Sequence, residues 1–426
     1  MHGSARDARL NNAPWLTAPE TRKIFDVLEQ AGYSVRAVGG TVRNTLLGEP
    51  VSDIDLATNA LPDKVIAAAR DAGLKAVPTG IEHGTVTIVV AGTPFEVTTL
   101  RQDVSTDGRR ATVAYTDNWV ADAKRRDFTI NAIYCDRNGH LFDPVGGLDD
   151  IAIRKVRFIG DAHQRIREDY LRILRFFRFS AQYANGKLDP VGLAACRAER
   201  AGLERLSAER IHREFMRLLE APAAVATLRA MQEHGFLSDI LGTQCDIDAL
   251  AKLNAIRAAN SQSIHGAGIK RLLHFAVLAV ADENAARLLA IRLRMSNAEA
   301  KYLSAAMSAK QEIDRTTYDA GDLSVKAAVY KFGNEAAFNA IALSWSRGNA
   351  PVDSPAFRHL AELAIAFQPP TPPFTGSDVI SRGVPAGPRV GVVLASFEHW
   401  WVGAGFPEDH SRLARKLDSL IKVTNS

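Results

Sequence analysis

Two aspartates separated by one isoleucine, Asp53-Ile54-Asp55, are the first residues in this chain whose type and spacing suggest chemistry. On a strand, that separation puts both carboxylates on one face, roughly 6 to 7 Å apart. Like charges so close repel unless a cation lies between them. Oxygen ligands of this kind suit Mg2+, which takes one or two carboxylates and fills its octahedron with water and substrate phosphates. Glu96 in "FEVTT" supplies a candidate third carboxylate, because Phe95 and Val97 on either side of it would face the other way. A solvated strand end would carry the same aspartates, so the surroundings must decide.

Upstream lies "VGGTVRN". Gly39 and Gly40 let backbone approach an anion closely, the helix that follows points N–H groups toward it, and Arg43 in its first turn adds a cationic fork matched to phosphate oxygens. A phosphate cradle beside a metal-binding carboxylate pair suggests nucleotidyl transfer, with metal activating an attacking hydroxyl and stabilising a departing pyrophosphate. A second constellation is "RIREDYLRILRFFRF" (165 to 179). If it is one helix, as its spacing predicts, Asp169 and Arg172 are surface neighbours, and Arg175 and Arg178 continue at the same interval. A surface ion-pair helix would show the same spacing.

Elements must hold these residues in place. Thr17-Ala18-Pro19-Glu20 predicts a capping box opening a helix to about Ala31. A strand over 34–38, the glycine turn, a helix ending near Gly48 and an alternating strand over 51–56 follow. A helix begins near Pro62, and "GTVTIVV" and "FEVTTLR" predict a hairpin around Ala91-Gly92-Thr93. Beyond residue 150 the apolar period becomes helical throughout, over 165–182, 207–220, 222–235, 246–259, 267–281, 283–293 and 296–312. "QPPTPPF" (368–374) reads as a stiff linker before a helical tail. The fold class is therefore α+β: a head with a mixed sheet over 1–150, then an all-α neck (151–240), body (241–367) and tail (368–426).

Composition narrows the class further. Apolar residues make up 46% and charged residues 23%, as in ordinary globular chains, and the net charge of +4 permits an anionic partner. Cys135, Cys196 and Cys245 lie far apart, without a CxxC pair or a Cys/His cluster at metal-ligand spacing, which fits free thiols in a reducing compartment. The first residues lack the apolar core of a signal peptide, and no run approaches the ~18 apolar residues of a membrane span. A cytoplasmic protein with no membrane association is expected. Histidines such as His83, His265 and His274 stand singly and read as structural or surface residues.

"GGTVRN" followed by "DIDLAT" resembles the signature of the polymerase β-like nucleotidyltransferases, in the class II branch of tRNA nucleotidyltransferases (CCA-adding enzymes) and bacterial poly(A) polymerases. Family members commonly carry aspartate where this chain has Asn44, so Asn44 is given no metal role. "KRRDFTINAIY" (124–134) resembles the next motif and implies that Arg126 and Asp127 sit near the nucleotide. "DPVGGLDDI" (143–151) resembles a turn between domains, and "EDYLR" resembles the EDxxR motif, in which side chains stand in for a template base.

That substitution makes chemical sense. Cytosine and adenine each present an amino donor beside a ring-nitrogen acceptor, so an aspartate can accept while an arginine donates. Uracil and guanine reverse the order, at a cost of ~1 to 3 kcal/mol for each unsatisfied partner. The resemblance thus implies template-independent addition of CCA to tRNA from CTP and ATP. Asp53 and Asp55 would hold Mg2+, Glu96 would assist, Gly39, Gly40 and Arg43 would hold the triphosphate, Asp169 and Arg172 would select the base, and Arg126, Asp127, Arg175 and Arg178 would line the pocket.

The polar insert at 102–123 resembles the loop that CC-only adders lack, and "FTGSDVISRGVPAGPRVGVVL" (374–394) resembles the segment holding the tRNA elbow. An A-only adder, a poly(A) polymerase and, more distantly, a non-catalytic RNA-binding protein on this fold are the alternatives. No protein partner is implied.

Overall fold

The structure, a computed structural model, describes residues 8–107, 110–260, 271–315 and 321–425. It forms two compact units that meet in sequence between Ile240 and Leu241.

The first unit is built on a seven-stranded mixed sheet. Its strands are β1 (Val35–Val38), β2 (Asp55–Thr58), β3 (Lys75–Gly80), β4 (Thr85–Val90), β5 (Thr93–Thr99), β8 (Tyr134–Cys135) and β9 (Leu141–Phe142); β6 (Arg101–Asp107) and β7 (Arg110–Tyr115) form a separate hairpin. The sheet order is β3-β4-β5-β2-β1-β8-β9, and every pairing is antiparallel except β2 with β5. The predicted hairpin is present, because Val86, Ile88 and Val90 alternate inward on β4 and Phe95, Val97 and Thr99 do so on β5. The insert at 102–123 supplies most of the β6–β7 hairpin and the helix Trp119–Lys124; residues 108 and 109 lie outside the described residues.

The helix Leu171–Tyr183 is joined by a column of rings to the segment that leads into β8. Phe128 contacts Phe158 (5.0 Å) and Phe179 (5.1 Å), Phe158 stacks on Phe176 (5.5 Å), and Phe128, Phe158 and Phe176 are almost fully buried. Gly147 opens a helix so close to the Thr129–Asn131 turn that a Cβ there would stand 2.3 Å from the Thr129 carbonyl oxygen, and Gly146 before it has φ 80°. The "DPVGG" glycines thus serve as a turn and a close-packing point.

Three sequence expectations change. Thr17 closes a short helix (Pro14–Thr17) and donates to the carbonyls of Ala13 and Pro14, so Ala18 takes the N-cap of Pro19–Gln30 without a side-chain bond and no capping box forms. The strand expected from Val51 begins only at Asp55. Pro50 lacks an N–H, and β1, the antiparallel neighbour of β2, ends at Val38 where Gly39 turns the chain away, so on that side residues before Asp55 have no ladder to join.

The helix expected over 165–182 is two, Ala162–Glu168 and Leu171–Tyr183. Asp169 at the break is extended and accepts from the Leu171 N–H at 3.1 Å, a local bond that competes with the helix.

The second unit is all helix among the described residues. It includes Ile247–Ala259, Arg271–Ala279, Glu283–Arg292, Asn297–Arg315, Asn334–Arg347, Pro388–Gly403 and His410–Asn425. Residues 267–270 of one expected helix, and His265, lie outside the described residues. Phe374, at the end of the proline-rich stretch, is buried with Val379, Val393, Phe397, Trp401 and Leu417.

Candidate active site

Parallel pairing of β2 with β5 sets Asp55 directly beside Glu96 as register partners. Asp53 lies just outside the strand and is exposed, its carboxylate accepting from the Ser52 hydroxyl at 2.9 Å. Burial first, and then the charge of Glu96, push the Asp55 carboxyl above its ordinary value; Asp53 adds to this and Arg126 and Arg43 oppose it. Neither Asp55 nor Glu96 accepts a side-chain hydrogen bond among the described residues. Asp55 and Glu96, register partners with so little compensation, and Asp53 two residues earlier form an edge whose oxygen donors suit a hard cation. No group of three His, Cys, Asp or Glu side chains among the described residues is arranged to hold a metal ion by itself. The donor set therefore fits Mg2+ that draws its remaining ligands from water and phosphate.

Gly39 has φ 72°, a conformation that favours glycine, and Gly40 starts the helix Gly40–Leu47. A Cβ on Gly39 would lie 3.8 Å from Arg126 Nη1, so Arg126 flanks the turn. Arg126 also pairs with Asp122 (3.1 Å), and despite burial Tyr134 and Asp122 hold its pKa above the usual arginine value.

Arg43 is 7% exposed and donates to Asn44 Oδ1 (3.1 and 2.8 Å), the Tyr183 hydroxyl (2.7 Å) and Asn131 Oδ1, with its guanidinium 4.1 Å from the Tyr183 ring centre. All these acceptors are neutral. Burial lowers its pKa, while Tyr183 and Asp127 oppose that shift.

Asp127 is an internal anchor, accepting from Arg175 Nε (2.8 Å) and Nη2 (2.5 Å), Asn131 Nδ2 (2.9 Å) and the Phe128 N–H (2.8 Å). Burial opposes its ionisation, but Arg175 and Asn131 outweigh it and hold the carboxyl well below the usual range. Arg178 bonds Glu214 (2.5 Å), which also lies 3.8 Å from Arg175.

Asp169 and Arg172 do not pair with each other. Asp169 Oδ2 accepts from Arg210 at 2.7 Å, whereas Arg172 donates to Glu168 (2.5 Å) and to the Arg165 carbonyl (2.6 Å). Tyr170 between them is seated on Gly202, where a Cβ would stand 1.9 Å from ring atoms. A carboxylate and a guanidinium thus stand at one helix start, each oriented by its own partner. Arg165 ties this helix pair back to the "RRD" stretch by donating to the carbonyls of Arg125 and Arg126, the latter at 2.6 Å.

The structure thus groups the predicted residues in three sets, an acidic edge with the glycine turn and Arg126, an arginine lattice running from Arg43 through Asp127 to Arg178, and the pair Asp169 and Arg172 at the helix break. Sequence reading missed Asp122, Glu214, Tyr183 and Arg210. Glu214 left a signal, being an acid on the buried stripe of the amphipathic helix Ala208–Leu219. Asp122 left one too, standing three and four residues before Arg125 and Arg126, whereas Tyr183 and Arg210 left none, because their partners are distant in sequence.

A mixed sheet with acids on adjacent strands and a glycine turn at a helix start defines the head of a nucleotidyltransferase. Comparison with known proteins agrees. Residues 35–157 match the Poly A polymerase head domain, and 187–244 match the probable RNA and SrmB-binding site of polymerase A. The chain is 41% identical over 228 residues to the CCA tRNA nucleotidyltransferase 1, mitochondrial, of Danio rerio, an alignment that spans about half of that protein, 53%, and 53% of this chain. It is 30% identical over 406 residues to the CCA-adding enzyme of Limosilactobacillus fermentum, covering 94% of this chain and 97% of that one. The crystal structure of the Bacillus stearothermophilus CCA-adding enzyme in complex with CTP superposes with a TM-score of 0.76 at 28% identity, covering 97% of this chain and all of the other. This chain belongs to the CCA-adding enzyme family of tRNA nucleotidyltransferases.

Proposed function

We propose that this protein adds C, C and A to the 3′ end of tRNA from CTP and ATP without a nucleic-acid template. The observation that carries the transfer chemistry is the register of β2 on β5, which puts Asp55 beside Glu96, with Asp53 two residues before Asp55. The tRNA 3′ hydroxyl attacks the α-phosphate and pyrophosphate leaves. Asp53 and Asp55 would hold Mg2+, with Glu96 as an adjoining carboxylate; the bound ion supplies charge stabilisation for the attacking and departing oxygens.

The N–H groups at Gly39 and Gly40 and the charges of Arg43 and Arg126 receive the triphosphate. Asp169 accepts from the amino group of cytosine or adenine while Arg172 donates to the ring nitrogen. Arg175 and Arg178 line the pocket, and Asp127 fixes Arg175. Free thiols at Cys135, Cys196 and Cys245 suit a reducing compartment, and we assign the chain to the cytoplasm; no helix among the described residues is long and apolar enough to cross a membrane. Fractionation of cells expressing the protein, with a matrix marker, tests that placement.

The deciding experiment offers tRNA lacking its CCA end to the purified protein with CTP alone, then with CTP and ATP. CTP incorporation followed by a terminal A supports the proposal. Incorporation of ATP alone would make the chain an A-only adder or poly(A) polymerase. No incorporation, or transfer that survives Asp53→Ala, would overturn the reading.

A further inference from the structure

The acidic segment Glu49–Ile54 belongs to no strand or helix, yet it must place Asp53 and Asp55 against the glycine turn. Apart from the Glu49 N–H, which donates to the Asn44 carbonyl at 2.8 Å where the helix Gly40–Leu47 ends, its hydrogen bonds to that helix, among the described residues, come through two side chains. The Thr41 hydroxyl donates to the Asp53 carbonyl at 2.9 Å and accepts from the Asp55 N–H at 3.2 Å, so one buried oxygen spans the backbone on both sides of Ile54. Thr41 is 0% exposed. One turn later, Asn44 Nδ2 donates to the Pro50 carbonyl at 2.8 Å while its Oδ1 holds Arg43. Thr41 is itself fixed from behind, since Thr45 Oγ1 donates to the Thr41 carbonyl (2.8 Å) and accepts from Trp15 Nε1 (2.8 Å).

We propose that Thr41 is a positioning residue for the aspartate pair: its hydroxyl sets how far apart, and at what angle to the glycine turn, the two carboxylates are presented to a divalent cation. This rests on the reading of Asp53 and Asp55 as metal ligands. A strand would have fixed both aspartates by its own ladder; with Asp53 outside β2, the hydroxyl takes the place of the missing ladder bonds. A methyl group in its place removes a donor and an acceptor together and leaves the Asp53 carbonyl and Asp55 N–H to find other partners. Asn44 acts on the far end of the same segment, a task an aspartate could not perform because it has no N–H to donate.

The test is Mn2+ binding to the full chain alone, followed by loss of the free-ion EPR signal, for wild type and for Thr41→Ser, Thr41→Cys and Thr41→Val. Thr41→Ser is expected to match wild type, Thr41→Val to bind Mn2+ roughly tenfold more weakly, and Thr41→Cys to fall between. Thermal unfolding is recorded for each, and if Thr41→Val does not fold, Thr41→Cys carries the comparison. Folded variants that lose stability yet bind Mn2+ as wild type does would overturn the proposal, as would a Thr41→Ser variant as weak as Thr41→Val. Asp53→Ala separates the two levels: if it leaves Mn2+ binding unchanged, the ligand assignment itself fails, whereas its loss of binding alongside an unaltered Thr41→Val removes only the role of Thr41.

Discussion

The acidic edge and the arginine lattice are opposites in how their charges are met. Along β2 and β5, Asp55 and Glu96 accept no side-chain hydrogen bond among the described residues, and Asp53 takes one from its neighbour Ser52. Across the site, Arg43 alone makes four hydrogen bonds, and Arg175 and Arg178 are fixed by Asp127 and Glu214. Unmet charge is costly in a folded protein and is retained where a ligand will meet it, whereas saturated charge costs little and stays where folding put it. On the function proposed, the difference teaches that the acids would be completed by what binds, whereas the arginines are already held by the protein's own side chains.

Removing an unmet charge should harm chemistry and spare the fold. Asp53→Ala is expected to lower kcat for CTP incorporation roughly a thousandfold with little change in Tm, measured by single-turnover assay and calorimetry. Removing a saturated charge should do the reverse. Asp127→Asn leaves Arg175 without its carboxylate in a buried setting and is expected to cost about 3 kcal/mol of stability, read by urea unfolding.

The helix-break pair lies between these extremes, Asp169 held by Arg210 and the Leu171 N–H and Arg172 by Glu168 and the Arg165 carbonyl, and on the reading proposed it meets the base. Arg172→Ala is expected to reduce the preference for CTP over UTP by roughly 10- to 100-fold, measured by competing the two nucleotides.

The smallest effect sharpens the comparison most. Because the Asp55 carboxyl is raised in the folded state, its ionised form weakens the fold at neutral pH; that penalty is present above the raised pKa and is relieved as pH falls through it toward the unfolded value. Asp55→Asn should therefore raise Tm in metal-free buffer at neutral pH by about 2 °C while abolishing transfer, and the gain should shrink in mild acid.

Sequence reading reached the parts of this molecule that local chemistry controls. The β4–β5 hairpin was legible because Val86, Ile88, Val90, Phe95 and Val97 alternate without interruption. The glycine turn was legible because few other sequences do what Gly39-Gly40 does before a helix. The placement of Glu96 beside Asp55 was only half legible, since spacing marks each residue as outward-facing but says nothing of which strands pair. The break at Asp169 was hidden because Ile166, Tyr170, Ile173, Leu174 and Phe177 keep a helical period through it; a side chain bonding the backbone two residues on shifts that balance without disturbing the pattern. Asp127 is expected from its motif to sit near the nucleotide, and only the fold reveals that Arg175, distant in the chain, bonds it.

The ring column of Phe128, Phe158, Phe176 and Phe179 joins the helix that bears Arg172 and starts just after Asp169 to the segment leading into β8 of the sheet bearing Asp55. On the reading proposed, those rings set the span between the point where a base is recognised and the point where its phosphate reacts. A cavity cut there, as in Phe158→Ala, would emerge as infidelity in the sequence added before it emerged as slow turnover.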